Sequence, residues 1–253
     1  MIGIFPKLYD DELVYSWFAR YLVYSGYSSV SDVYLDLYDS KIARPSVELI
    51  NNLSTDAKAV IAKYKSMEDL IYYHTMFPEY GKFIDKDQRK RLIKSRDFTI
   101  GNWNNILMVP ISSKDRVLRY CPLCSLEDRE KMGETYWHRK HQINNIRICN
   151  KHKVYLYDST VVIDHNLTRL KPAEAIIPLE SKVVSCEEDI QIRMSSYMEE
   201  AFLSKDYSYR QIGSFLSDRI GETYRYENGN RKLYKFYEDY KAFFKTLGEE
   251  ELM

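Results

Sequence analysis

Cys121-Pro122-Leu123-Cys124 and Cys149-Asn150-Lys151-His152 are the residues whose types and spacing carry chemistry. A CxxC pair lets two thiolates from one tight turn reach the same ion, and CxxH does so with a thiolate and an imidazole. Together the two pairs offer a closed Cys3His shell for one structural zinc ion (Zn2+) per chain. Residues 125–148 separate them, a spacer of 24 that is longer than in a small DNA-reading zinc finger and is expected to carry its own helix. His138 and His141 lie in that spacer and compete for the fourth position. His152 is preferred because it shares a turn with Cys149. Cys186 has no partner at motif spacing and reads as a small buried residue. Catalytic zinc keeps a position open for water beside a general base, whereas four protein ligands fill this shell. The deaminase pattern H-x-E with P-C-x-x-C also fails: Thr75 and Met76 follow His74, and Pro122 follows its cysteine instead of preceding it.

Elements must hold these residues, and the composition says what kind. The 253 residues are 45% hydrophobic and 29% charged, which describes a folded chain. Their 37 basic and 37 acidic residues exclude a polycation that coats nucleic acid along its whole surface. No apolar run approaches the roughly 20 residues of a membrane span. Neither a secretory leader nor any phosphate-cradling GxGxxG or GxxxxGK[ST] motif occurs, and the cysteines suit metal ligation better than disulfides, so a reducing, cytoplasmic setting with no membrane contact and no bound nucleotide is expected. Charge is uneven: residues 1–100 hold 14 basic and 14 acidic side chains, 101–160 hold 10 and 6, and 161–253 hold 13 and 17. The basic middle contains both metal pairs. Arg119, Arg139, Lys140, Arg147, Lys151 and Lys153 surround them and are candidates for a phosphate backbone, the alternative being a solvated face. The 23 tyrosines call for a core in which buried rings find partners for their hydroxyls.

The pattern predicts a mainly α fold: an N-terminal helical domain (1–110), a zinc-binding segment with a short β element (111–158), a surface connector (159–186) and a C-terminal helical segment (187–253). Asp10 or Asp11 caps a first helix through Leu13, Trp17, Tyr21 and Leu22, with Gly26 as its stop. Further helices are expected from Ser31 to Tyr38, Ser46 to Leu53 after Pro45, Ala57 to Tyr64 capped by Ser54, Ser66 to His74 with a capping box to Asp69, and Asp85 to Arg96. Ser125 is expected to cap a helix with Asp128, and Val154 to Tyr157 reads as a strand. Helices at Ile190 to Leu203, Tyr209 to Ile220 and Arg231 to Leu247 complete the chain. Tyr207 to Arg225 has a helix-turn-helix cast, with a packing helix at least as good an account. Phe5, Pro6 and Tyr9 form an apolar edge that either docks a partner or staples the first helix; the staple is preferred.

Three stretches carry a resemblance. Phe5-Pro6, then Asp11-Glu12, Ser16 and Arg20, form the first, and His74-Thr75-Met76-Phe77-Pro78-Glu79-Tyr80 the second. Tyr120-Cys121-Pro122-x-Cys124, Tyr136-Trp137 and Cys149-x-x-His152 form the third. In this order the chain resembles the TnsD/TniQ family of transposon target-site selectors. The resemblance implies a non-enzymatic adaptor that recognises target DNA or a guide-RNA effector complex and recruits the AAA+ regulator TnsC, which licenses the transposase. TnsD proteins usually continue into further helical domains, so the chain is expected to be an N-terminal fragment or a short member. Two rivals remain: a zinc-dependent nucleic-acid hydrolase, and a stand-alone regulator reading DNA through Tyr207 to Arg225.

Overall fold

The computed structural model describes residues 2–50, 52–81, 84, 86–94, 116–163, 169–204, 222–224, 232, 234, 235, 238, 239 and 242. The chain divides into two compact units, Met1–Lys205 and Asp206–Met253. The first unit is mainly helical. Among the described residues its α-helices are α1 (Val14–Tyr24), α2 (Val30–Tyr38), α3 (Thr55–Ile61), α4 (Met67–His74), α5 (Phe77–Gly81), α6 (Lys86–Lys94), α7 (Pro122–Met132), α8 (Ala173–Ile176) and α9 (Asp189–Leu203). Two small antiparallel sheets join β1 (Val117–Tyr120) to β4 (Tyr157–Val162) and β2 (Ile148–Cys149) to β3 (Val154–Tyr155). In the second unit the described residues include a 3-10 turn, Glu222–Tyr224, whose Tyr224 hydroxyl donates to Asp239 at 3.0 Å.

Local rules account for most boundaries. Ser54 Oγ accepts from Ala57 N at 3.0 Å and Ser66 Oγ from Asp69 N at 3.1 Å, so α3 and α4 begin at side-chain caps. Gly26 follows α1 at φ +68, where a side chain would be strained. Pro122 opens α7, where no N–H is missed, and Gly133 closes it at φ +82.

Departures from expectation have physical causes. α1 starts at Val14 with no side-chain cap, because Asp11 turns away: its carboxylate accepts from Lys140 N at 3.1 Å and its carbonyl from Arg139 N at 2.7 Å. No helix forms among the described residues of Ser46 to Leu53. The Glu48 carbonyl accepts from Met76 N at 2.7 Å, and Val47, Leu49, Ile50 and Leu53 are all buried, so that stretch is threaded through the core. The spacer helix begins at Cys121, not Ser125, whose hydroxyl donates back to the Cys121 carbonyl at 3.0 Å. The stretch after Tyr157 is not a free surface run. Ser159 to Val162 continue β4, and Val161, Ile163, Leu170, Ala173 and Ile177 are buried. Arg129 of α7 clamps it by donating to the carbonyls of Ile177 at 2.8 Å and Pro178 at 3.0 Å. Tyr207 to Gly221 lie outside the described residues, as does most of Arg231 to Leu247.

A seam welds α1 to the metal-pair segment. Leu13 N donates to Trp137 O at 3.1 Å, Trp137 N donates to Ser16 Oγ at 3.0 Å, and Glu12 bridges to His138. Arg20, its side chain only 3% exposed, pairs with fully buried Glu12 at 2.9 Å and with Glu134 at 2.7 Å, and lies 3.8 Å over the Tyr9 ring. The second resembling stretch joins in: His74 Nδ1 donates to Glu12 O at 2.8 Å, and Glu79 Oε1 accepts from Asn144 N at 3.0 Å. Burial drives the Glu12 carboxyl up to about 7, against the pull of Arg20. Arg20 is held charged by its two carboxylates against its own burial.

Two predictions follow from this core. Arg20→Met leaves Glu12 sealed without a counter-charge and should cost about 3–5 kcal/mol in urea unfolding, with part recovered in Arg20→Met/Glu12→Gln. A loss under about 1 kcal/mol would mean that the pair is solvated. Burial also lowers His74 to about 4 from 6.5. The unfolded chain therefore binds a proton that the folded chain refuses between these values, and stability falls as pH drops through that window. From pH 7 to 5 the wild type should lose about 2 kcal/mol more than His74→Asn; parallel pH profiles would overturn the assignment.

Candidate metal centre

The four predicted ligands converge. Cys121 sits at the N-cap of α7 and Cys124 in its first turn. Cys149 ends β2, and His152 lies in the turn that leads to β3, where Lys153 at φ +55 reverses the chain and donates its N–H to the Cys149 carbonyl at 2.7 Å. Their ligand atoms all lie within 4.8 Å of one another. Cys124 and Cys149 sulfurs are 3.7 Å apart, and His152 Nδ1 is 3.5, 3.4 and 3.7 Å from the sulfurs of Cys121, Cys124 and Cys149.

These lengths can be tested against a metal. Zinc–sulfur bonds of about 2.3 Å and zinc–nitrogen bonds of about 2.0 Å give tetrahedral edges of roughly 3.8 Å between sulfurs and roughly 3.5 Å between sulfur and nitrogen. The donor set and its edges are compatible with zinc. The thiols also crowd electrostatically. Hydrogen bonds with Cys121 and Cys149 raise the Cys124 thiol, while those from Cys121 and Cys124 lower Cys149. A cation among them would take all three as thiolates and release their protons.

One supporting residue was not anticipated from the sequence. Glu127, one helical turn beyond Cys124, accepts from His152 Nε2 at 2.7 Å, which leaves Nδ1 facing the sulfurs. Lys151, His152 and Lys131, in that order, hold that carboxylate and lower it to about 2. Its i+3 offset from a ligand on a helix was the available signal. Neither competing histidine belongs to the four-donor cluster. His138 Nε2 binds Asp128 Oδ2 at 2.8 Å, a contact that overcomes the effect of burial and keeps the ring above its ordinary pKa. Burial lowers His141, whose ring lies outside the four-donor cluster and whose buried Nδ1 has no hydrogen-bond partner among the described residues. Cys186 is buried, its N–H donating to Lys153 O at 2.9 Å.

The six basic candidates separate. Arg139 is buried: it donates to Tyr72 O at 2.5 Å and lies 4.7 Å over the Phe202 ring. Arg119 donates to the Ile143 carbonyl at 2.8 Å and to that of Ile146, and burial pulls it down to about 10. Lys140 pairs with Glu199 at 2.9 Å and Lys151 with Glu127. Lys153 and Arg147 are exposed. Arg147 lines a cavity with Arg119 and with Arg116, which the sequence reading had not singled out. Of the N-terminal edge, Phe5 is 5% exposed, packed 4.7 Å from Trp17 and 4.5 Å from Tyr21. Pro6 O accepts from Trp17 Nε1 at 2.7 Å, so this pair staples α1. Tyr9 is half-buried beneath Arg20, its hydroxyl donating to Glu134 at 3.3 Å.

Fold and site together define a helical module in which a Cys3His cluster is built onto a buried ionic seam. Residues 3–156 match the TniQ family, and the chain belongs to that family. It is 28% identical over 166 residues to the transposon Tn7 transposition protein TnsD of Escherichia coli. The match takes in 64% of this chain and 32% of the relative, so it spans about a third of the relative's length.

The metal assignment predicts that cobalt(II) added to the apo protein gives the intense visible bands of a tetrahedral thiolate site at one ion per chain. His152→Ala should abolish them and Cys186→Ser should not. Glu127→Gln should weaken metal affinity about 10- to 100-fold. Full cobalt binding by His152→Ala would give the fourth position to another histidine.

Proposed function

We propose that the chain is a non-enzymatic target-selection adaptor of a bacterial transposon, cytoplasmic in setting, which binds target DNA or a target-bound guide-RNA effector complex and recruits the AAA+ regulator TnsC, so that the transposase is directed indirectly. The observation that carries this reading is the family match over residues 3–156, an interval that contains all four metal donors and the seam that fixes them to α1. Similarity to a protein named for Tn7 transposition supports the same setting. One structural Zn2+ per chain supplies folding energy at the centre of the unit. A closed Cys3His shell supports that role over hydrolysis, which needs an open coordination position. Among the described residues no helix is long and apolar enough to cross a membrane.

The exposed charges of Lys153 and Arg147 are the best candidates for nucleic-acid contact on this face, since Arg139, Lys140 and Lys151 already have internal partners. The test is capture of a TnsC-type AAA+ protein by the full chain, with and without target DNA, before and after chelation. Capture should require bound metal, and chelated protein should lose helical content along with it. In parallel, Lys153→Glu should weaken duplex binding and flatten its salt dependence. If no AAA+ protein is retained under any of these conditions, the adaptor reading fails.

A further inference from the structure

We propose that the cavity between β1, the 142–147 loop and β4 is an oxyanion site that seats one phosphate group, its source under the function proposed above being a nucleic-acid backbone. The cavity measures about 230 Å³, and Arg116, Arg119, Arg147, Asn144, Asn145 and Asp158 are on its wall. Three guanidiniums thus converge from two parts of the fold, β1 with the residue before it and the end of the loop. Guanidinium forks match phosphate oxygens in pairs, and they shed water more easily than ammonium groups.

Two of the three are fixed in advance. Arg116 pairs with buried Glu48 at 2.5 Å, and Arg119 is anchored by the carbonyls of Ile143 and Ile146. Gln142 locks the Arg119 backbone from both sides, accepting from its N–H at 2.9 Å and donating to its carbonyl at 2.8 Å. Arg147 is exposed and has no ion-pair partner among the described residues. Three carboxylates act on this group of cations: Glu48 behind Arg116, Asp158, which stands opposite Arg119 in the β1–β4 register, and Glu79, which attracts both Arg119 and Arg116. Burial raises the Glu79 carboxyl to about 7, so near neutral pH it carries only part of a charge, and the three guanidiniums still exceed the negative charge around them. Both Arg147 and Arg116 repel Arg119. An anion placed among the three would relieve that repulsion, and the anchoring of two of them limits the side-chain entropy lost on binding.

The full metal-loaded chain should be tested with two probes, inorganic phosphate in thermal unfolding and a 20-base-pair duplex titrated across salt concentrations. Arg147→Ala removes the unpaired charge at an exposed position, and Asp158→Asn removes the opposing rim charge. Phosphate should raise the wild-type Tm, by less in Arg147→Ala and by more in Asp158→Asn. Arg147→Ala should weaken duplex binding severalfold and reduce the slope of log K against log salt by about one, with phosphate competing. An Arg147-dependent phosphate shift without duplex binding would keep the site, assign it to free phosphate and remove the DNA reading. Duplex binding that depends on Lys153 but not on Arg147, with no Arg147-dependent phosphate effect, would overturn the site and leave the proposed function standing.

Discussion

A guanidinium cannot lie at 3% exposure unless carboxylates meet it, and that requirement at Arg20 organises the unit. Glu12 reaches it from the turn before α1, and Glu134 from just beyond α7. The two acids are far apart in sequence, so the pair of contacts forms only when the N-terminal helix and the metal segment lie together. Around this charge, the backbone of Leu13 and the hydroxyl of Ser16 are taken up by Trp137, and His74 is drawn in by the Glu12 carbonyl. The acids and the arginine of the first resembling stretch are therefore architectural, and exposed chemistry is not what keeps them in place.

The metal cluster and the seam divide the work. Four donors from two turns would, with the proposed metal bound, fix local geometry over residues 121–152, a region whose two-residue strands β2 and β3 are too short to be stable alone. Glu127 extends that order outward by tying His152 to α7. The seam then sets where this staple sits relative to the helices. A tyrosine-rich chain suits such a joint, because a ring can fill the core while its hydroxyl closes a backbone group: Tyr136 bonds Asp10 O at 3.0 Å, and Tyr64 bonds Phe5 O at 2.9 Å.

Much of this was legible in the sequence where the signal was local. The two metal pairs, the serine caps at Ser54 and Ser66, Gly26 after α1 and the mainly helical class all depend on residues within a few positions of each other. What was not legible depended on distant partners. Ser46 to Leu53 has helix-like content, but Glu48 is engaged by Tyr80 and Arg116 from elsewhere in the chain. Asp11 looks like a cap until Lys140 and Arg139 compete for it. Arg139 and Arg119 look like surface cations, yet Arg139 is held by the Tyr72 carbonyl and Asp11, and Arg119 is anchored by the carbonyls of Ile143 and Ile146, which no neighbour in sequence reveals. The same holds in reverse for Arg116, whose place on the cavity becomes visible only once β1 and β4 pair.

That sorting alters what the basic middle of the chain can do. Of the ten basic residues over 101–160, six around the metal pairs are candidates in the sequence for a phosphate backbone. Once the internally paired groups are set aside, the exposed charges on this face are few and the whole chain is neutral. A handful of phosphate contacts gives a shallow salt dependence and little long-range attraction. Under the function proposed above, a module so built would depend on a second contact for its lifetime on a target, because linked weak sites gain affinity through effective concentration without any one of them being strong.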